Sequence, residues 1–164
     1  MKNKLFIVCP FSQMELFLQK KYGNEVYFIT ALASIMQWNH KEDMDAIRDF
    51  IIRESVQEIY LVHETGCRFI NNVITKRKLY GLPSEDILKN IYLEHYFSDF
   101  ENKELSVQQF KLAELAIKYQ AEEIIKSDVL GIQIIEDTVS LKGLITSKKK
   151  NLFKEINVKQ LKNK

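Results

Sequence analysis

The sequence predicts an α/β fold, a mainly parallel sheet flanked by helices with a C-terminal antiparallel hairpin. Three observations predict it. Short, continuous apolar runs recur at residues 5–9, 26–30, 59–62 and 132–135. They are too brief for helices and too uniformly apolar for half-exposed strands, so they read as strands buried on both faces. Longer stretches with apolar residues at helical spacing lie between them, and strands alternating with helices imply parallel pairing. Near the end, residues 139–146 and 152–156 flank a polar turn, Ser147 to Asn151, which reads as a hairpin.

The first strand, Leu5-Phe6-Ile7-Val8-Cys9, stops at Pro10. Ser12, with Glu15 three residues on, predicts a capped helix ending near Tyr22 at Gly23-Asn24. Val26–Thr30 is the second strand, and the apolar stretch 31–38 is expected to form a short helix. Residues 41–55 read as a helix: Met44, Ile47 and Ile51 share one face, and Glu42 and Asp43 sit in the first turn, where the helix dipole favours them. The third strand is Ile59-Tyr60-Leu61-Val62. Gly66 opens a helix over 67–79, ended by Gly81 and Pro83; Ser84 opens another over 85–97, and Ser106 a long one over 107–126. Ile132-Gln133-Ile134-Ile135 is the expected fourth strand.

Composition narrows the class. At ~100–200 residues per domain, 164 residues fit one domain spanning 1–164, with a lysine-rich hairpin turn and tail over 148–164. That tail holds seven lysines and one glutamate; it reads as a solvated end or as a patch for an anionic partner. The whole chain has 24 Lys+Arg against 22 Asp+Glu, a net charge of +2, so no strong field draws it to nucleic acid or membrane. No apolar run approaches the ~18 residues of a transmembrane helix. Only five apolar residues precede Pro10, too few for a signal peptide. Two cysteines without such a signal read as thiols, and the expected location is cytoplasmic. Nucleotide loops of the Gly-x-Gly-x-x-Gly or Walker kind and the Gly-x-Ser-x-Gly elbow are lacking. His40 and His95 have no second ligand at helical spacing.

Ligands of open parallel sheets bind beyond the carboxyl ends of the strands. Cys9 closes the first strand, His63 follows the third, and Cys67 begins the next helix. With the first and third strands adjacent, both cysteines face one crevice. Two thiolates plus an imidazole or carboxylate, with one position open, is a catalytic zinc pattern, and sulfurs sharing a zinc would lie within ~4 Å of each other. The alternative is that each cysteine is an ordinary small buried residue.

The chain resembles a small, divergent member of the β-class carbonic anhydrases over nearly its whole length. That family opens on a strand ending Cys-x-Asp-x-Arg, and this strand ends Cys9-Pro10-Phe11-Ser12-Gln13. Its second strand leads into Phe-x-x-Arg-Asn-Ala-x-Asn, matched in place by Phe28-Ile29-Thr30-Ala31-Leu32-Ala33-Ser34-Ile35. Its third ends Gly-His-x-x-Cys-Gly, in place of which stands His63-Glu64-Thr65-Gly66-Cys67-Arg68. The resemblance implies the fold, a homodimer, a zinc site and CO2 hydration. Aligned without a gap on Cys67, the third ligand becomes Glu64; aligned on the histidine it is His63, with one residue inserted. The metal candidates are therefore Cys9, Cys67, Glu64 and His63.

The resemblance also brings departures. The family's Asp and Arg form a dyad that orients a zinc-bound hydroxide, and here they are Phe11 and Gln13. A carboxylate in place of a neutral imidazole adds an anion and weakens the metal's pull on bound water. The expectation is a carbonic-anhydrase-like protein with little or no catalysis, no catalytic residues and a residual metal site, serving in binding or scaffolding. The alternatives are a zinc-dependent carbonic anhydrase or related zinc hydrolase, and an interaction protein working through its lysine tail. The apolar stretch 31–38 with Trp38 is expected either at a subunit interface or in the core.

Overall fold

The computed structural model of the chain describes residues 2–127 and 138–158. Strand β1 (Asn3–Val8) pairs in parallel with β2 (Val26–Thr30) on one side and β3 (Val56–Glu64) on the other. Strand β3 pairs in parallel with β4 (Ser140–Ser147), and β4 runs antiparallel to β5 (Leu152–Ile156). The order is β2-β1-β3-β4-β5. The parallel part and the C-terminal antiparallel pair are as expected, and the first arm of the hairpin doubles as a parallel strand beside β3. The strand expected at 132–135 lies outside the described residues.

Helices α1 (Glu15–Tyr22) and α2 (Lys41–Arg53) connect the first three strands. After β3 come α3 (Arg68–Ile74), α4 (Pro83–Glu94), a π-turn (Tyr96–Phe100) and the long α5 (Leu105–Lys126). Side chains alternate along each strand. Leu5 and Ile7 of β1, Ile59 and Leu61 of β3, and Leu141 and Ile145 of β4 join one core with Met44 and Ile51 of α2, Leu88 of α4 and Ile117 of α5. Phe6, Val8, Tyr60, Val62 and Leu144 face the other way and pack on Met14 and Leu18. Gly143 permits close approach of α5: a Cβ there would lie 2.5 Å from Ile117 Cγ2.

Several local expectations change. Ser12 does not cap α1; it closes a 3₁₀ turn (Pro10–Ser12), and its hydroxyl donates to the Cys9 carbonyl at 2.6 Å. Residues 31–38 are not a helix. A 3₁₀ turn (Leu32–Ser34) contains left-handed Ala33 and Ser34, both at φ 56°, and extended backbone follows. Trp38 is buried within this chain, with its Nε1–H donating to Gln120 Oε1 at 2.9 Å, so its ring belongs to the core, while Leu32 and Met36 are half-buried. Helix α3 stops at Ile74, where Lys76 turns to φ 56°. Helix α4 starts at Pro83, whose missing N–H costs nothing at that position. The Glu85 carboxylate accepts from the N–H groups of Tyr80 and Leu82 and fixes that start. No helix among the described residues is long and apolar enough to cross a membrane.

Candidate functional site

The carboxyl ends of β1 and β3 lie side by side, and the register fixes what each presents. Ile7 is level with Leu61. One step further on the same face are Cys9 and His63; Glu64 therefore faces the opposite side. Cys67 follows the β3 turn as the residue before α3. Cys9 and Cys67 are 2% and 5% exposed, and both are free thiols.

The two cysteines lie together. The Cys67 thiol is the largest of the influences on Cys9 and favours its ionisation. Burial opposes ionisation, the backbone near Phe11, Ala33 and Ser34 favours it slightly, and the net result lowers Cys9 from 9.0 to about 6. Ala33 and Ser34 are both left-handed, and the Ser34 N–H donates to the Ala31 carbonyl at 2.8 Å. Non-glycine residues adopt that backbone at a cost of order 1 kcal/mol each, so the surrounding packing must hold it. Cys67 moves the other way: through its interaction with Cys9, and buried beside it, it is raised well above an ordinary thiol. The site is thus a buried dithiol in which Cys9 ionises more readily than an ordinary thiol and Cys67 less readily.

Neither candidate third ligand joins them. The Glu64 carboxylate accepts from Thr146 Oγ1 at 2.6 Å, from the Lys148 N–H at 3.1 Å and, at 3.4 Å, from the Gly66 N–H. Glu64 is level with Thr146 in the sheet, so it ties the end of β3 to the end of β4. His63 shares the cysteines' face and lies level with Ile145. It is 2% exposed, and its Nε2 has no hydrogen-bond partner among the described residues. Desolvation lowers it from 6.5 to about 4, so its ring is neutral near pH 7. Among the described residues no three His, Cys, Asp or Glu side chains converge as a metal ion would need.

The positions after Cys9 are equally altered. Phe11 is 53% exposed; its ring meets Phe69 edge-on at 5.8 Å and carries the Arg68 guanidinium at 5.0 Å. Gln13 is a left-handed turn residue at φ 52°. Neither places a carboxylate or a guanidinium at the dithiol. Sequence reasoning missed the left-handed turn at Ala33 and Ser34 and the role of Thr146. The face of His63 was readable by counting alternate residues from Leu61; the partner of Glu64, far along the chain, was not.

The comparisons agree with this architecture. The structure superposes on the β-carbonic anhydrase CafA of the fungus Aspergillus fumigatus with a TM-score of 0.80 at 18% identity, covering 96% of this chain and 76% of that one. It superposes equally, at TM-score 0.80 and 15% identity, on a tetrameric β-carbonic anhydrase from Sordaria macrospora, covering 94% and 80% of the two chains. The Coccomyxa β-carbonic anhydrase in complex with acetazolamide matches at TM-score 0.73 and 13% identity over 95% and 74%. No family model matches the chain, and no curated protein matches its sequence. The fold is therefore that of the β-carbonic anhydrases.

A catalytic zinc in such a site uses three protein ligands and leaves one position open. The described residues bring together two donors, the sulfurs of Cys9 and Cys67. The carboxylate at the third place is held by Thr146 and Lys148. As arranged, the donor set does not fit a three-ligand zinc site.

Proposed function

We propose that this chain is a carbonic-anhydrase-like protein that has lost CO2 hydration or retains very little of it, and that serves in binding or scaffolding with a two-thiol remnant of the site. The observation that carries this reading is the engagement of Glu64. Its carboxylate closes the ends of β3 and β4 through Thr146 and Lys148 and is not free to act as a ligand. Phe11 and Gln13 add to it, since neither can orient a hydroxide as the family's Asp and Arg do. Loss of one stabilising contact of this kind costs roughly 10²–10³ in rate, and contacts working as a unit are not additive.

A second reading, a zinc-dependent carbonic anhydrase or related zinc hydrolase, is favoured by one observation: Cys9 and Cys67 lie together at the ends of β1 and β3, and their interaction favours ionisation of Cys9. It requires His63 or Glu64 to leave its present position and complete the donor set. In either reading the chain is taken as cytoplasmic, in keeping with free thiols, and as a homodimer, by analogy with an oligomeric relative of the same fold.

Stopped-flow CO2 hydration by zinc-supplemented protein tests the reading, with CafA of A. fumigatus assayed alongside. The expected rate is at or near the uncatalysed one. A rate for the unmodified chain within about tenfold of the CafA enzyme would overturn the proposal and install the second reading.

A further inference from the structure

A cleft away from the dithiol has the makings of a ligand site. It lies between the end of α3 and the middle of α4 and encloses about 250 Å³. Its polar lining consists of Lys76 and Arg77, just past α3, Lys89 of α4, and Asn72. None of the three cations forms an ion pair among the described residues, and no acidic side chain lines the cleft. The nearby Glu85 is occupied by the N–H groups of Tyr80 and Leu82.

Basic residues after a helix often only complement its dipole, and that suffices for Lys76 and Arg77. It does not account for Lys89, which comes from the interior of α4. Nor does it account for Asn72. That residue lines the cleft, and its side-chain amide, which makes no hydrogen bond to another described side chain or backbone group, is open to it. An amide open to the cleft offers both donors and an acceptor to whatever occupies it. Leu79 and Leu93 form an apolar wall on the same cleft.

We propose that this cleft binds a small organic phosphate, a phosphomonoester with a compact apolar body. Arg77 offers a planar fork suited to two phosphate oxygens, and the lysines supply point charges from two elements. The Asn72 amide takes a hydroxyl or ester oxygen next to the phosphate, and the body rests on Leu79 and Leu93. The volume lies below the ~300–1,000 Å³ usual for ligand cavities, which limits the body to about one ring. The proposal is independent of any metal at Cys9 and Cys67 and of whether CO2 is hydrated.

The test is titration calorimetry of the full chain at low salt, with phenyl phosphate as the probe. One saturable site per chain is expected. Inorganic phosphate should bind at least about tenfold more weakly, because it cannot use the apolar wall. Arg77→Gln and Lys89→Gln, both at exposed positions, should each weaken phenyl phosphate by about tenfold or more. Asn72→Ala, checked for folding by circular dichroism, should also weaken it. Lys149→Gln, a lysine remote from the cleft, should leave it unchanged. Absence of saturable binding, equal affinity for inorganic phosphate, or equal losses in Lys149→Gln and Arg77→Gln would overturn the proposal.

Discussion

Glu64→Ala should destabilise the protein through the loss of a tie between β3 and β4. The carboxylate is 6% exposed and accepts two close hydrogen bonds, from Thr146 Oγ1 at 2.6 Å and the Lys148 N–H at 3.1 Å, with a longer one from Gly66. Removing an acceptor leaves its donors unsatisfied at roughly 1–3 kcal/mol each. The Thr146 hydroxyl can rotate and water can reach the half-buried Lys148, so the sum falls at about 2–4 kcal/mol. With a urea m-value of about 2 kcal/mol/M, the unfolding midpoint should drop by roughly 1–2 M. Circular dichroism through a urea series reads this directly. Thr146→Val should be strongly coupled to Glu64→Ala, by about 1–2 kcal/mol in a double-mutant cycle, because each removes one side of the same bond. A midpoint unchanged within experimental scatter, or simple additivity with Thr146→Val, would refute the tie and leave Glu64 free to act as a ligand.

Three further outcomes follow from the same packing. His63 is held down from 6.5 to about 4, so its contribution to stability is fully present above pH 6.5 and is lost as pH falls through about 4, when the unfolded chain takes up a proton that the folded chain refuses. The loss is roughly 3 kcal/mol; His63→Leu should flatten that part of the stability–pH curve, and parallel curves for the two proteins would contradict it. Gln120→Leu strips partners from the Met36 N–H and from Trp38 Nε1–H, now held at 3.1 and 2.9 Å, and should cost about 2–4 kcal/mol. Trp38 is the only tryptophan, so its fluorescence should shift in the folded variant; an unaltered spectrum and midpoint would argue against the contact. Gly143→Ala brings a methyl to 2.5 Å from Ile117 Cγ2 and should cost about 1–3 kcal/mol, partly restored by Ile117→Ala; no effect on the melting temperature would mean that α5 moves away freely.

The strands were legible because each is a short β-branched and aromatic run with a hard stop. Val26–Thr30 is bounded by Gly23-Asn24, and β1 runs into Pro10. The helices were legible where one face is apolar, as in α2, which buries Met44 and Ile51. The stretch after β2 was not, because a uniformly apolar run carries no period, and the left-handed turn falls on Ala33 and Ser34, residue types that do not announce it. Ser12 looked like a cap for α1 but answers to Pro10, which sets up a 3₁₀ turn instead. The expectation that Cys9 and Cys67 share a crevice was conditional on the first and third strands being neighbours, and β1 does pair with β3. The fate of Glu64 was not, since its partner Thr146 is far away in the chain and comes alongside only when β4 pairs with β3. Asn72 and the basic cleft gave no sequence signal beyond the run Lys76-Arg77-Lys78.

Zinc content bears most directly on the claim that two sulfurs remain of a site that lacks its third ligand. The measurement is elemental analysis of the chain purified without added metal, then equilibrated with one equivalent of zinc and dialysed. The account predicts far less than one zinc per chain in both samples. One zinc per chain that survives dialysis in the unmodified protein would contradict it.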